Sequence, residues 1–162
     1  MARIFVFLLA FCLIAFGAWP YYGLYRLDQA LSEPDASAIA PFVDLSAIQE
    51  SYKARLSSGV DSMLPEADRT SVPGLEWLAK SLQQVGGQAL DQVITLELVR
   101  SMLREAAIRA TDERPAYFLA GVDYAFFASW NRFRVRLGEQ TDATEVLMRL
   151  EGIHWRITDI RG

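Results

Sequence analysis

An uncharged run at the start of the chain constrains its fold more than any other feature. Ile4 to Trp19 reads IFVFLLAFCLIAFGAW, and the stretch without charge continues through Pro20-Tyr21-Tyr22-Gly23-Leu24-Tyr25 until Arg26. That makes twenty-two residues, and a helix needs about 20 apolar residues to cross the core of a bilayer. Trp19, Tyr21, Tyr22 and Tyr25 cluster at its far end, as a membrane-interface belt does, because amphipathic rings sit well at headgroup level. The competing reading is a cleaved export signal, for which Ala15-Phe16-Gly17 supplies a loose small-x-small site. Lipid modification at Cys12 does not fit, since Phe11 stands where a small residue is needed.

The flanking charges are Arg3 and the terminal amine on one side, and Arg26 offset by Asp28 on the other. Positive charge stays inside, so the N-terminus is expected in the cytoplasm. In a Gram-negative cell the chain would then be a single-pass inner-membrane protein with a periplasmic domain. Pro20 sits where a second helix could start, so a kink is expected there with the helix running on through YYGLYRLDQALSE.

Residues 1–25 are thus read as a transmembrane anchor and 26–162 as one domain, near the commonest domain size. Charge is uneven along it: five basic against ten acidic residues from Arg26 to Asp91, and ten against ten from Gln92 to Gly162. Neither half has the positive excess that a phosphate backbone requires, which argues against nucleic acid as a partner. Cys12 is the only cysteine and His154 the only histidine, so thiolate and His-rich metal sites are excluded. No cofactor is expected.

Hydrophobic periodicity sets the architecture. Asp35 or Ser37 can cap a short helix that carries Ile39 and Phe42 inward and ends by Asp44. Ser46 with Gln49 makes a capping box, followed by Ile48, Tyr52 and Leu56 at helical spacing up to Gly59. Val60 to Val72 reads as a connection. A further helix opens at Pro73 with Leu75, Leu78, Leu82 and Val85 inward, Gly86-Gly87 interrupts it, and another begins near Thr95 with Leu98, Met102 and Leu103 inward. Helices therefore occupy about 26–110.

From Val122 the period becomes two. Val122, Tyr124, Phe126 and Ala128 alternate with Asp123, Ala125, Phe127 and Ser129; Phe133, Val135 and Leu137 alternate with Arg132, Arg134 and Arg136. Trp130-Asn131 makes the hairpin turn. Gly138 to Asp142 turns into a third strand with Thr144, Val146, Met148 and Leu150 on one face, and Gly152 into a fourth with Ile153, Trp155 and Ile157. A single sheet cannot bury its apolar side alone. The expected fold is α+β: an N-terminal transmembrane helix, then helices packed on one face of a four-stranded antiparallel meander over about 117–161.

Two regions carry a resemblance: PYYGLYRLDQALSEPDASAIAPFVDLSAIQESYKARL from Pro20 to Leu56, and NRFRVRL with LEGIHWRITDIRG from Asn131 to the end. With Tyr21, Tyr22, Leu24, Tyr25, Leu27, Ala30, Leu31, Val43, Asp44, Trp155, Thr158, Asp159 and Ile160 carrying the match, the chain resembles the bacterial family named domain of unknown function 2939. Thr95-Leu96-Glu97 departs from the Thr-Pro-Glu start expected of the family. The resemblance implies a membrane segment and this fold, and no functional residue, because the family has no assigned activity. More distantly the chain is similar to nuclear-transport-factor-2-like domains, in which helices cap a curved sheet to form a pocket; that is an analogy of fold.

The sharpest functional feature is an arginine stripe. Arg132, Arg134 and Arg136 point to one face, and Arg149 and Arg156 can join them to hold an anionic ligand, a lipid headgroup or an acidic partner. The plain reading is that Glu145, Glu151 and Asp123 pair with them across strands. His154 shares that side without an identifiable partner. Trp155, Tyr124 and Phe126 read as core before they read as pocket. Asp159, inward by strict alternation, needs an arginine or tyrosine partner. Asp112-Glu113 and Glu66 with Asp68 have no metal-site spacing. No G-x-S-x-G, H-E-x-x-H, phosphate loop or G-x-G-x-x-G is present, which argues against the common enzyme classes. The expected role is non-enzymatic: an accessory or interaction protein that binds the bilayer through residues 4–25 and docks on a membrane protein or complex. A ligand-binding or enzymatic pocket between helices and sheet is the alternative.

Overall fold

The computed structural model describes residues 2–57, 92–113, 117–139 and 143–162. Helix α1 (Ala2–Ser32) leads through a 3-10 turn (Ala36–Phe42) to α2 (Leu45–Ser57). Helix α3 (Leu96–Thr111) and a second 3-10 turn (Leu119–Gly121) precede β1 (Val122–Ser129), β2 (Arg132–Leu137), β3 (Thr144–Glu151) and β4 (His154–Arg161). The fold is α+β, with the sheet an antiparallel meander in the order β1-β2-β3-β4. The connection from Val60, the helix from Pro73, Gly86-Gly87 and the acids Glu66 and Asp68 lie outside the described residues.

Helix α1 runs through Pro20 as one element. Proline forfeits the hydrogen bond to the carbonyl four residues back, yet its fixed φ suits a helix. The character of the helix changes there. From Ile4 to Phe16 its apolar side chains are exposed on every side. After Pro20 only a stripe is buried, Leu24, Leu27, Ala30 and Leu31, the three-and-four spacing of a helix laid against a core. Residues 20–25 therefore serve the domain as well as the run that precedes it, and the helix crosses residue 25 without a break.

The inner face of the sheet presents Phe133, Val135, Leu137, Val146, Met148, Trp155, Ile157 and Ile160, all buried in one cluster with the α1 stripe, Ile39, Val43, Ile48, Val99 and Leu103. The edge of β4 is partly covered: Val43 bridges to Ile157 in parallel, and the Asp44 N–H donates to the Ile157 carbonyl at 2.9 Å. Such cover blunts an edge that could recruit another strand.

Several expectations about faces and caps are corrected. In β1 the register shifts between Val122 and Tyr124 and again between Phe127 and Ser129, so Ala125 and Phe127 turn inward while Tyr124 and Phe126 are exposed. An extra residue in one strand reverses the parity of all that follow it. Ile153 lies in the β3–β4 turn and is exposed. Helix α2 is capped by Asp44, whose Oδ1 accepts from the Ala47 N–H at 3.0 Å and from the Ser46 hydroxyl. Gln49 instead donates to the Ile94 carbonyl, so the Ser46–Gln49 box does not form. Thr95 does cap α3, accepting from the Leu98 N–H, but the buried stripe is Val99, Leu103, Ala106 and Ala107, with Leu98 and Met102 only half-buried.

Leu27 is 0% exposed and Phe7 is 76% exposed on the same helix. Leu27→Ala should therefore destabilise the domain by about 2–5 kcal/mol, while Phe7→Ala leaves it unchanged. Urea unfolding of the full chain in detergent, followed by circular dichroism, measures both.

Candidate functional site

The arginines fall on the outer face of the sheet, and the pairing arranges them in rows across the strands. Farthest from the β1–β2 turn, Tyr124, Arg136, Glu145 and Arg161 lie opposite one another; next come Phe126, Arg134, Leu147 and Asp159; nearest the turn come Ser129, Arg132, Arg149 and Arg156. The acids are unevenly shared among these rows. Arg136 binds Asp123 through two nitrogens at 2.8 and 3.1 Å and lies over the Tyr124 ring. Arg134 faces Glu145 at 3.8 Å, and Arg156 faces Glu151 at 3.5 Å. Arg132 and Arg149 form no ion pair among the described residues. Cross-strand pairing thus neutralises the far rows and leaves an excess of positive charge in the near one.

Asp159 is buried, 6% exposed, but not by simple alternation. A bulge between Leu147 and Met148 pairs Ile157 with Met148, Asp159 with Leu147 and Ile160 with Val146. Ile160 takes the inward position, and Asp159 is closed over by arginines: Arg55 of α2 at 2.8 Å and Arg161 at 2.7 Å. Arg55 also donates to the Ile160 carbonyl, as does the Tyr52 hydroxyl, with the Arg55 guanidinium over the Tyr52 ring. Burial pushes the Tyr52 hydroxyl above its ordinary range, with Asp159 adding to the rise and Arg55 opposing it. This constellation clamps α2 to the edge of β4.

Asp44 and Glu151 form a second carboxyl pair beside Arg156. Burial would raise Asp44, but the Ala47 N–H, the Ser46 hydroxyl and Glu151 hold it below the usual carboxylate range. Burial, with Asp44 as hydrogen-bond partner and neighbouring charge, pushes Glu151 up.

The sequence signalled neither what becomes of the aromatic belt nor where the two hairpin turns lie. Trp19 donates its indole N–H to the Ile153 carbonyl at 2.8 Å, and Tyr21 donates its hydroxyl to the Ala125 carbonyl at 2.9 Å with its ring edge-on to Phe133. Phe16 stacks on Phe127 at 5.9 Å. Tyr22 and Tyr25 stay exposed, Tyr25 accepting from Gln29. Two of the four belt residues are therefore tied to the sheet. They bring the end carrying Trp130-Asn131 and Gly152-Ile153 against α1 where its bare stretch ends. His154 is exposed at that end and Trp155 is core. A cleft of about 230 Å³ lies elsewhere, between α1 and α3, lined by Asp28, Ser32, Arg104, Tyr117 and Phe118 among others.

Two outcomes follow. Asp159→Ala leaves Arg55 and Arg161 facing each other and should cost about 1–3 kcal/mol, whereas Arg134→Gln, in an exposed pair, should cost under about 1 kcal/mol; urea midpoints compare them. Asp44, with its folded pKa lowered, contributes stability above its unfolded pKa that is lost as pH falls through the folded one. Glu151, with its pKa raised, contributes stability below its unfolded pKa that is lost as pH rises. Glu151→Gln should therefore raise Tm at pH 7 and lose that gain near pH 4, read by thermal denaturation at both.

The family model described as protein of unknown function (DUF2939) matches residues 9–102. No curated protein and no solved structure matches the chain. The matched stretch includes Tyr21 to Asp44, which carry the N-terminal signature, and the Thr95 region, and it ends before the sheet. Since it spans more than half of the 162 residues, the chain belongs to the DUF2939 family.

Proposed function

We propose that this protein is a single-pass membrane protein whose domain is held at fixed height and orientation above the bilayer to dock on a neighbouring membrane protein or complex. The observation that carries this reading is the continuity of α1, bare and apolar up to Ala18 and core-forming from Leu24 to Leu31. It is the one helix among the described residues long and apolar enough to cross a membrane. Ten large apolar side chains between Ile4 and Phe16 are exposed. Leaving them in water forgoes on the order of 15–30 kcal/mol of transfer free energy, more than the net stability of a typical domain. A bilayer removes that deficit. Charge at the helix ends favours the N-terminus in the cytoplasm and the domain in the periplasm, with the inner membrane as its site.

A rigid tether suits docking. A flexible linker would let the domain sample many orientations, whereas a helix shared between anchor and core presents one face at one height. The inner face of the sheet is filled by the α1 stripe and the aromatic cluster, so the outer face is the surface on offer.

After alkaline carbonate extraction the chain should remain in the membrane pellet with its first residues intact, and protease added to spheroplasts should digest the domain. Release of a shortened chain beginning near Ala18 would overturn the anchor. Co-purification from mild detergent should return a membrane protein; recovery of this chain alone at every salt concentration would overturn the docking role.

A further inference from the structure

We infer that the end of the sheet nearest the apolar helix is itself a lipid-binding rim, with Arg132, Arg149 and Arg156 holding anionic lipid headgroups while Trp130 and Ile153 enter the membrane interface. The inference rests on the reading of Ile4–Ala18 as the bilayer-crossing part of α1.

Geometry carries it. Trp19 on the Ile153 carbonyl and Phe16 on Phe127 place both hairpin turns level with the end of the bare helix. The turns are joined to each other by the Leu150 N–H on the Asn131 carbonyl at 3.0 Å. The residues at their tips are large and apolar, Trp130 at 74% and Ile153 at 66% exposure, which a turn bathed in water has no reason to select. The arginine row begins two residues along the strand from Trp130, about 7 Å farther from the membrane at strand rise. That puts the row on the aqueous side of an indole seated at the interface, within reach of headgroup charge.

Charge agrees. Three arginines lie directly opposite one another across β2, β3 and β4, and like charges so placed repel. Among the described residues Glu151 ion-pairs only with Arg156, its charge also acting on Arg149 and that of Asp44 on Arg156, so two carboxylates stand against three arginines, and the Arg156 Nε is buried with no hydrogen-bond partner. Arginine is suited to the task because its planar fork binds phosphate oxygens in pairs and dehydrates more readily than an ammonium.

Length agrees as well. Ile4 to Ala18 is fifteen residues, about 22 Å of helix, against a hydrocarbon core of about 30 Å. A rim that sinks into the interface shortens that difference, as a mismatched span requires.

The test uses the full chain. Reconstituted into nanodiscs of phosphatidylcholine with or without phosphatidylglycerol, a spin label at Ile153→Cys in a Cys12→Ala background should be shielded from a water-soluble relaxant and exposed to oxygen. In native mass spectrometry from detergent, phosphatidylglycerol should be retained in preference to phosphatidylcholine. Each arginine of the row changed to glutamine should weaken that preference about five-fold, whereas Arg134→Gln and Arg136→Gln should leave it unchanged. An inserted chain with a water-exposed label, or with equal retention of both lipids, would overturn the rim and leave the anchor standing. Equal losses from the two arginine sets would reduce the effect to general charge and overturn the assignment. A chain that fails to enter nanodiscs at all would overturn both readings.

Discussion

One helix changes character along its length, bare and apolar at first and core-forming after Pro20, and the rest of the architecture follows from that. Its first half has no polar side from Ile4 to Ala18, and its second half gives Leu24, Leu27 and Leu31 to a core shared with Phe133 and Trp155. A helix of this kind cannot pivot at the junction without breaking backbone hydrogen bonds or tearing leucines from the core. Proline at the junction removes one such bond without supplying a hinge, because the buried residues on its C-terminal side set the direction of the axis. Trp19 and Tyr21, hydrogen-bonded to the turn and to β1, add a rotational lock. Arg100 adds another at the far end, donating to the Glu33 carbonyl just beyond the helix.

The outer face of the sheet shows how cross-strand register converts an ordinary composition into a polarised surface. Arg134 and Arg136 have carboxylates beside them, and Tyr124 and Phe126 lie opposite them on β1. Arginine beside an exposed aromatic ring and a carboxylate gains little but costs little, so those rows are close to neutral. One row farther along, the partners of Arg132 and Arg149 are other arginines and a serine. The chain could have distributed its acids evenly; its C-terminal half has equal numbers of each sign. The asymmetry is therefore one of placement and not of composition.

The sequence was most informative where a period persisted over many residues. All four strands, the turns at Trp130-Asn131 and Gly152, the uncharged run and the helix start near Thr95 are legible because periodicity and turn chemistry are local. Faces were lost at bulges: Tyr124 and Phe126 point outward because an extra residue near Asp123 shifts the count, and Ile160 takes the inward place that alternation gives to Asp159. Nothing in the spacing of Val122 to Ser129 announces such a shift. The requirement that a buried carboxylate find an arginine or tyrosine was nevertheless correct, because desolvation demands a partner whichever side the chain turns. Capping failed for a related reason. Asp44 and Ser46 both suit an N-cap, and the choice is made by the Asp44 N–H bonding to Ile157, a contact more than a hundred residues away in sequence.

The belt residues illustrate the same point in the site. Trp19, Tyr21, Tyr22 and Tyr25 are equivalent as a composition of aromatics, but helical spacing alone does not sort them: Trp19 and Tyr21 lie about 160° apart around the axis and Tyr25 lies within about 40° of Tyr21, so long-range carbonyl partners on the sheet make the selection. Trp19 and Tyr21 are taken by Ile153 and Ala125, and Tyr22 and Tyr25 are left outward. The sheet brings the exposed Trp130 and Ile153 to the same end at its hairpin tips, because an antiparallel meander must put its first and third turns at one end. The position of these large apolar tips relative to the arginine row is therefore set by strand rise, which no side-chain substitution at the surface can change.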